Sequence, residues 1–268
     1  MTDIVPGTAD LRAEIARLGP WHHDVEVSDG IRTGDVVRTP QRSAEFGEVS
    51  LIRPDRILPR VLADVYPAGL AGRSMLDCAC NAGGYLFAAA DLGAGRGFGF
   101  DARDHWIRQA QFLRAHRPAQ NIEFAQCALA DLPGLHLEPF DITLFQGIFY
   151  HLPDPVAGLR IAADHTRELL VFNTAATWSR NEGLILNLES DQDVMSGVNR
   201  LAWLPTSPHV LQEILAWCGL PESRIQLDER VGAQRRIQIL AARDNAIFAS
   251  YDAAPRPEAG RLRRFVRR

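Results

Sequence analysis

Two carboxylates, Asp77 and Asp101, each stand at the end of a short apolar run, and the residues between the runs are mostly small. Ser74 to Cys78 is the first run. A turn of Ala79-Cys80-Asn81-Ala82-Gly83-Gly84 follows, then a helical pattern from Tyr85 to Leu92 closed by Gly93. A second run, Gly97 to Phe100, ends at Asp101. A small-residue turn lets the backbone approach a ligand closely. Asn81 is, with aspartate, the non-glycine type that best tolerates a left-handed backbone. A carboxylate at the tip of the second strand, roughly 20 residues past the turn, accepts both hydroxyls of a ribose. The chemistry suggested is recognition of a nucleoside; the alternative is a plain crossover that holds nothing.

Positioning these groups requires strand, tight turn, helix and strand in that order, a βαβ unit. A pyrophosphate site of the dinucleotide type needs G-x-G-x-x-G, and Cys78, Cys80 and Asn81 break that pattern. S-adenosylmethionine (SAM) carries no phosphate and needs fewer glycines. LDCACNAGGY resembles motif I of the class I SAM-dependent methyltransferases, with Ala79, Asn81 and Gly83 at the three successive glycine positions. FDITLFQGIFYHLPDPVAGL, Phe140 to Leu159, resembles that family's fourth-strand motif. Its FYHLPDP tail is similar to the GVLYHxxxP segment of the tRNA wobble-uridine carboxymethyltransferases, a subgroup that also includes many small-molecule methyltransferases. The resemblance runs from about Trp21 to about Arg243.

That resemblance implies a Rossmann-like α/β sandwich: a seven-stranded, mostly parallel sheet with helices on both faces and an antiparallel closing hairpin. It implies SAM as cofactor and S-adenosylhomocysteine (SAH) as product, with Arg53, Asp77, Cys78, Ala79, Asn81, Gly83, Asp101, Ala102, Leu129, Ala130, Gln146 and Tyr150 around the cofactor. The family's adenine-binding acid is replaced by Ala128, so backbone groups near Leu129 are expected to hold the base, with Asp131 a possible substitute. Methyl transfer to a hydroxyl needs a general base. By resemblance His151, after the fourth strand, is either that base or a structural histidine that holds the loop. Tyr150 lies beside the methionyl carboxylate or the transferred group. On the acceptor side the same reading places His22, His23, Trp178, Arg200, Trp203 and Arg236. The carboxymethyl-transferring members carry an upstream lysine, and Met1 to Arg73 contains none, which favours ordinary methyl transfer. Arg53 reads either as a cofactor contact or as an exposed partner of Glu45 or Glu48.

The chain has 268 residues, 46% hydrophobic and 23% charged, with formal net charge −4. That suits one large α/β domain and argues against a dedicated nucleic-acid binder. No apolar run is long enough to span a membrane and no secretory signal is evident, so a cytoplasmic enzyme is expected. The four cysteines read as reduced and buried, and no metal site is expected. Residues 1–60 read as an N-terminal helix, a small hairpin around Asp29-Gly30 and a cap. Residues 61–248 read as the catalytic domain, with 174–205 an irregular substrate cap, and 249–268 as a basic tail. Ser43 to Tyr66 reads as helix interrupted near Pro54. Adjacent His22 and His23 on a strand would point to opposite faces. The expected activity is transfer of a methyl group to a hydroxyl or amine of a small molecule such as a sugar or secondary metabolite. The alternative is a tRNA wobble-uridine-modifying enzyme.

Overall fold

The computed structural model describes residues 8–28, 30–37, 41–43, 47–117, 121–189, 195–231 and 234–255. In chain order the elements are α1 (Thr8–Arg17), β1 (Glu26–Ser28), β2 (Ile31–Arg32), β3 (Gln41–Ser43), β4 (Gly47–Val49), α2 (Pro54–Leu62), β5 (Ser74–Cys78), α3 (Gly84–Asp91), β6 (Arg96–Asp101), α4 (Asp104–His116), β7 (Ile122–Gln126), β8 (Phe140–Gln146), α5 (Pro155–Asp164), β9 (Thr166–Ala176), β10 (Leu184–Leu188), β11 (Leu201–Pro205), α6 (Pro208–Trp217), β12 (Glu222–Val231), β13 (Gln234–Ala242) and α7 (Ala249–Ala253). Seven strands form one sheet in the order β12-β13-β9-β8-β5-β6-β7. β9, β8, β5, β6 and β7 run parallel, while β13 lies antiparallel to both β9 and β12. The expected sandwich and its closing hairpin are both present.

Alternation along each strand sorts the side chains onto two cores. Met75, Ile142, Leu144, Leu169, Val171 and Leu240 face α1, α2, α3 and α7. Leu76, Cys78, Phe145, Leu170, Phe172, Ile237 and Ile239 face α5 and α6. The strand order reverses between β5 and β8, so the turns leaving their carboxyl ends are neighbours, where an open α/β sheet has its ligand crevice.

The turn after β5 is left-handed at each position where motif I would have glycine: Ala79 (φ 57°), Asn81 (φ 52°) and Gly83 (φ 72°). Only the last is glycine, and there space demands it. A Cβ on Gly83 would lie 2.4 Å from the Phe124 ring. Gly84 opens α3, and its N–H, which Gly83 has no side chain to satisfy, donates to His23 Nδ1 at 3.1 Å. The segment before α2 thereby closes the helix that the turn after β5 begins.

Several local expectations are corrected. The stretch from Ser43 is not helical: β3 and β4 pair antiparallel, and Pro54 does not interrupt a helix but begins α2, where a proline lacks only an N–H that has no helical partner. Glu45 lies outside the described residues. Residues 174–200 are not wholly irregular. β9 runs on to Ala176, and β10 pairs with β11 from Leu184↔Pro205 to Leu188↔Leu201. That ribbon hid because β10 is largely exposed on both faces, leaving no period-2 pattern. Residues 249–253 form α7, with Tyr251 buried; the arginine-rich run beyond lies outside the described residues. Cys78, Cys80 and Cys218 are free and buried, but Cys127 is only half-buried.

Gly83→Ala is expected to destabilise the fold by roughly 1–2 kcal/mol for the left-handed alanine and ~1–3 kcal/mol for crowding Phe124. Denaturant unfolding of the purified variant measures it.

Candidate active site

Asp101, at the end of β6, is buried yet keeps accepting capacity: Oδ2 takes the Asn81 N–H at 3.2 Å and Oδ1 the Arg103 N–H at 3.0 Å, leaving further lone pairs on each oxygen. Asp77 is buried beside it, and its Oδ2 has no hydrogen-bond partner among the described residues. Burial pushes the Asp77 carboxyl well above its ordinary value, and the nearby charge of Asp101 pushes it further. Burial also raises Asp101, against the backbone N–H groups that favour its charged form. Gln146 ends β8 on the same sheet face as Asp77, and its Nε2 is likewise buried without a partner. Left-handed turn, two crowded carboxylates and an unused amide form a cradle of negative character that suits a ribose and a cationic group.

The neighbouring loops fit the flat end of such a ligand. The Cys127 N–H donates to the Asp101 carbonyl, and Gln126 Nε2 donates to that of Ala102, so the two strand ends close together. Ala102 and Ala130 are exposed, whereas the Leu129 side chain packs into the core under α5, leaving its backbone as the available contact. Asp131 is exposed; its N–H donates to the Ala128 carbonyl.

On the acceptor side, Phe149 anchors the turn after β8 by packing edge-on against Phe172 at 5.3 Å. Tyr150 and His151 follow, their ring centroids 3.9 Å apart. His151 Nδ1 lies 2.7 Å from Glu189 Oε2, which also accepts the Gly197 N–H at 2.7 Å. Burial holds the His151 pKa below its ordinary value, although Glu189 pulls it up; Arg103 and Arg236 add to the lowering. Arg236 reaches in from β13, 5.9 Å over the Tyr150 ring, and its charge also lowers His22 and acts on Tyr85. Glu229 stands opposite Arg236 in register, yet no carboxylate pairs with Arg236 among the described residues. His22 donates from Nδ1 to the Ser50 carbonyl at 2.8 Å, leaving Nε2 as an acceptor.

The structure thus gathers His22, Tyr150, His151 and Arg236, and sets Asp77, Asn81, Gly83, Asp101 and Gln146 around one turn. Some of the other expected residues make structural contacts of their own. His23 caps α3, and its ring lies 5.5 Å from that of His22, because the chain bends at His22 instead of running extended. Asp24 and Asp55 bind Arg53 and Arg32, which ties the segment before α2 to that helix; the Glu45 and Glu48 side chains lie outside the described residues. Trp178 is 65% exposed and lies under the Arg235 guanidinium, 3.8 Å from its ring centre, on the opposite face of β13 from Arg236. Arg200 is exposed, with φ 58°, and its carbonyl accepts the Glu189 N–H. Trp203, on β11, holds its Nε1 buried with no partner among the described residues. Sequence reasoning missed Tyr85, Arg103 and Glu189. Tyr85 and Arg103 adjoin motif residues and were findable. Glu189 is 38 residues from its histidine and carried no local signal.

A family model described as a methyltransferase domain matches residues 70–218, more than half of the chain. Among curated relatives, the chain is 31% identical over 119 residues to the tRNA U34 carboxymethyltransferase of Alteromonas mediterranea, a match that covers 42% of this chain and 33% of that protein. It is 34% identical over 91 residues to the enzyme of the same name from Campylobacter hominis, covering 34% and 31%. The chain spans about a third of the length of these relatives. Among solved structures, the N-terminal domain of EvdMO1, determined in the presence of SAH and D-fucose, superposes with a TM-score of 0.69 at 17% identity, covering 90% of this chain and 99% of that one. Magnesium protoporphyrin IX methyltransferase from Synechocystis PCC 6803 with bound SAH gives 0.53 at 16% identity, covering 71% and 83%.

The cradle fits SAM: Asp101 would hold the ribose, and Asp77 and Gln146 have unused polar atoms for the charged methionyl end. Asp101→Ala is expected to cost about 1.5–3 kcal/mol of SAM affinity by calorimetry. Asp77→Asn should weaken binding too, while raising the melting temperature of the cofactor-free protein at neutral pH. The sign follows from the raised pKa: an acid harder to ionise when folded loses stability as pH climbs from the ordinary carboxylate range toward the folded value, and asparagine removes that loss. Melting curves across about pH 4–8 check it. With the family match spanning more than half its length and the sheet and cradle in agreement, the chain belongs to the class I SAM-dependent methyltransferases and is an enzyme of that kind.

Proposed function

We propose that the enzyme transfers the methyl group of SAM to a hydroxyl, or an amine, of a small molecule such as a sugar or secondary metabolite, with His151 as general base. The observation that carries this is the state of His151: half-enclosed by the β8 turn, Glu189 and Gly197, with burial favouring its neutral, proton-accepting form. SAM, when bound, supplies a methyl group on a sulfonium already activated for in-line displacement, so the protein's share is alignment, water exclusion and proton removal. His151 would take the acceptor's proton as the new bond forms. Tyr150 and Arg236 border the same space, and Arg236, which has no carboxylate partner among the described residues, is available to an electronegative substituent of the acceptor. The D-fucose present with EvdMO1 is compatible with a sugar-sized acceptor.

A second reading, modification of tRNA wobble uridine, is favoured by the curated relatives' names. Against carboxymethyl transfer stands the resemblance's lysine: all 29 basic residues of this chain other than histidine are arginines. Incubating the enzyme with methyl-labelled SAM and either pooled hydroxylated metabolites or bulk tRNA separates the two. Label in the metabolite pool is expected; label in tRNA sinks the small-molecule reading. His151→Ala should lower kcat by ~10²–10⁴-fold with SAH affinity nearly unchanged.

A further inference from the structure

Glu189 directly follows β10, and it is fixed before it meets His151. Its backbone N–H donates to the Arg200 carbonyl at 2.9 Å across the mouth of the ribbon, and its Oε2 accepts from the Gly197 N–H. The 195–197 loop is fastened in turn to the cofactor side: Arg103 Nη2 donates to the Ser196 carbonyl, while the Arg103 backbone N–H donates to Asp101 Oδ1. Gly197 packs so near His151 that a Cβ there would lie 2.7 Å from the histidine Cβ. A run of contacts therefore joins the ribose-binding carboxylate to the imidazole through the loop that carries Gly197.

We infer that Glu189 is the positioning residue of the transfer: from the β10–β11 cap it holds His151 by Nδ1 and turns Nε2 toward the acceptor. The inference rests on the assignment of His151 as base. An ionised carboxylate can only accept, so the Nδ1 position carries the proton and Nε2 carries the lone pair. As the acceptor O–H bond breaks, its proton passes to Nε2. The oxygen's electron pair forms the O–CH3 bond, and the S–CH3 pair goes to sulfur. The resulting imidazolium faces Glu189 at 2.7 Å. After release, the Nε2 proton returns to solvent. Among the described residues, Glu189, Arg103, Arg236 and Tyr150 are the ionisable groups around His151. Glu189 favours the protonated ring and the two arginines oppose it, so the ring stays neutral until substrate supplies a proton.

Glu189→Gln keeps size and a hydrogen bond but removes the charge. The His151 imidazole is followed by NMR titration in the cofactor-free protein, its signals assigned with His151→Gln. Removing Glu189's charge should lower the His151 pKa, move the acid limb of the kcat profile to lower pH, and cut kcat at least tenfold, with KM for SAM little changed. An unmoved His151 titration, or a lower pKa with undiminished kcat, overturns the inference. Parallel kcat measurements on His151→Ala keep the two assignments apart. If that variant is slow while Glu189→Gln is not, only the role of Glu189 fails. If neither is slow, the base assignment has failed as well.

Discussion

A carboxylate oxygen taken out of water without a hydrogen-bond partner is costly for a fold to hold, and among the described residues Asp77 Oδ2 is one, beside a second buried carboxyl group at Asp101. Neither serves the packing of the sheet. Asp77 stands where the strand order reverses and Asp101 at the end of the next strand, around a backbone bent into three left-handed residues; Asp101 accepts two backbone N–H groups and both acids keep accepting capacity beyond that. The glycine at 83 that yields to Phe124, the histidine borrowed from the cap to close α3, and the closeness of the β5 and β8 turns all maintain that concentration of negative potential. The cofactor side of the site is thus a local deficit in the fold's electrostatics, made good from outside.

The acceptor side is built differently, from residues far apart in the chain. His22 comes from the cap, Tyr150 and His151 from the β8 turn, Glu189 from the end of β10 and Arg236 from β13. The two cores divide the labour. Phe149 seats the β8 turn on the α5–α6 core, while Asp77, Gln146 and Arg236 share the opposite face of the sheet. Crevice geometry therefore depends on both cores being in register with the sheet between them.

How far the sequence revealed this follows from the range of each interaction. β5 was legible to the residue because a buried parallel strand is a short apolar run, and Asp101 because it ends such a run. The left-handed bend at Asn81 could be anticipated from its residue type, but the one at Ala79 was read only by its place in the motif, since alanine carries no preference for it. β4 was mistaken for helix because the charges around it suggested a face before pairing supplied one. The β10–β11 ribbon went unseen because neither side of β10 is buried enough to impose alternation. His23 as a helix cap and Glu189 as a partner of His151 are contacts across 61 and 38 residues. Only tertiary structure brings such pairs together.

β13 lies between β9 and β12, so the strand carrying Arg236 is enclosed on both sides by hydrogen-bonded neighbours. It pairs with β9 some sixty residues upstream, from Arg235↔Ala176 to Ala241↔Leu170, and closing loops of that span is the slow, entropically expensive part of assembling a sheet. A growing chain can complete the βαβ cradle long before it can insert this arginine. The strand order thus makes the wall that carries Arg236 the last part of the crevice that the chain supplies, after the βαβ unit of β5 and β6 and the turn after β8.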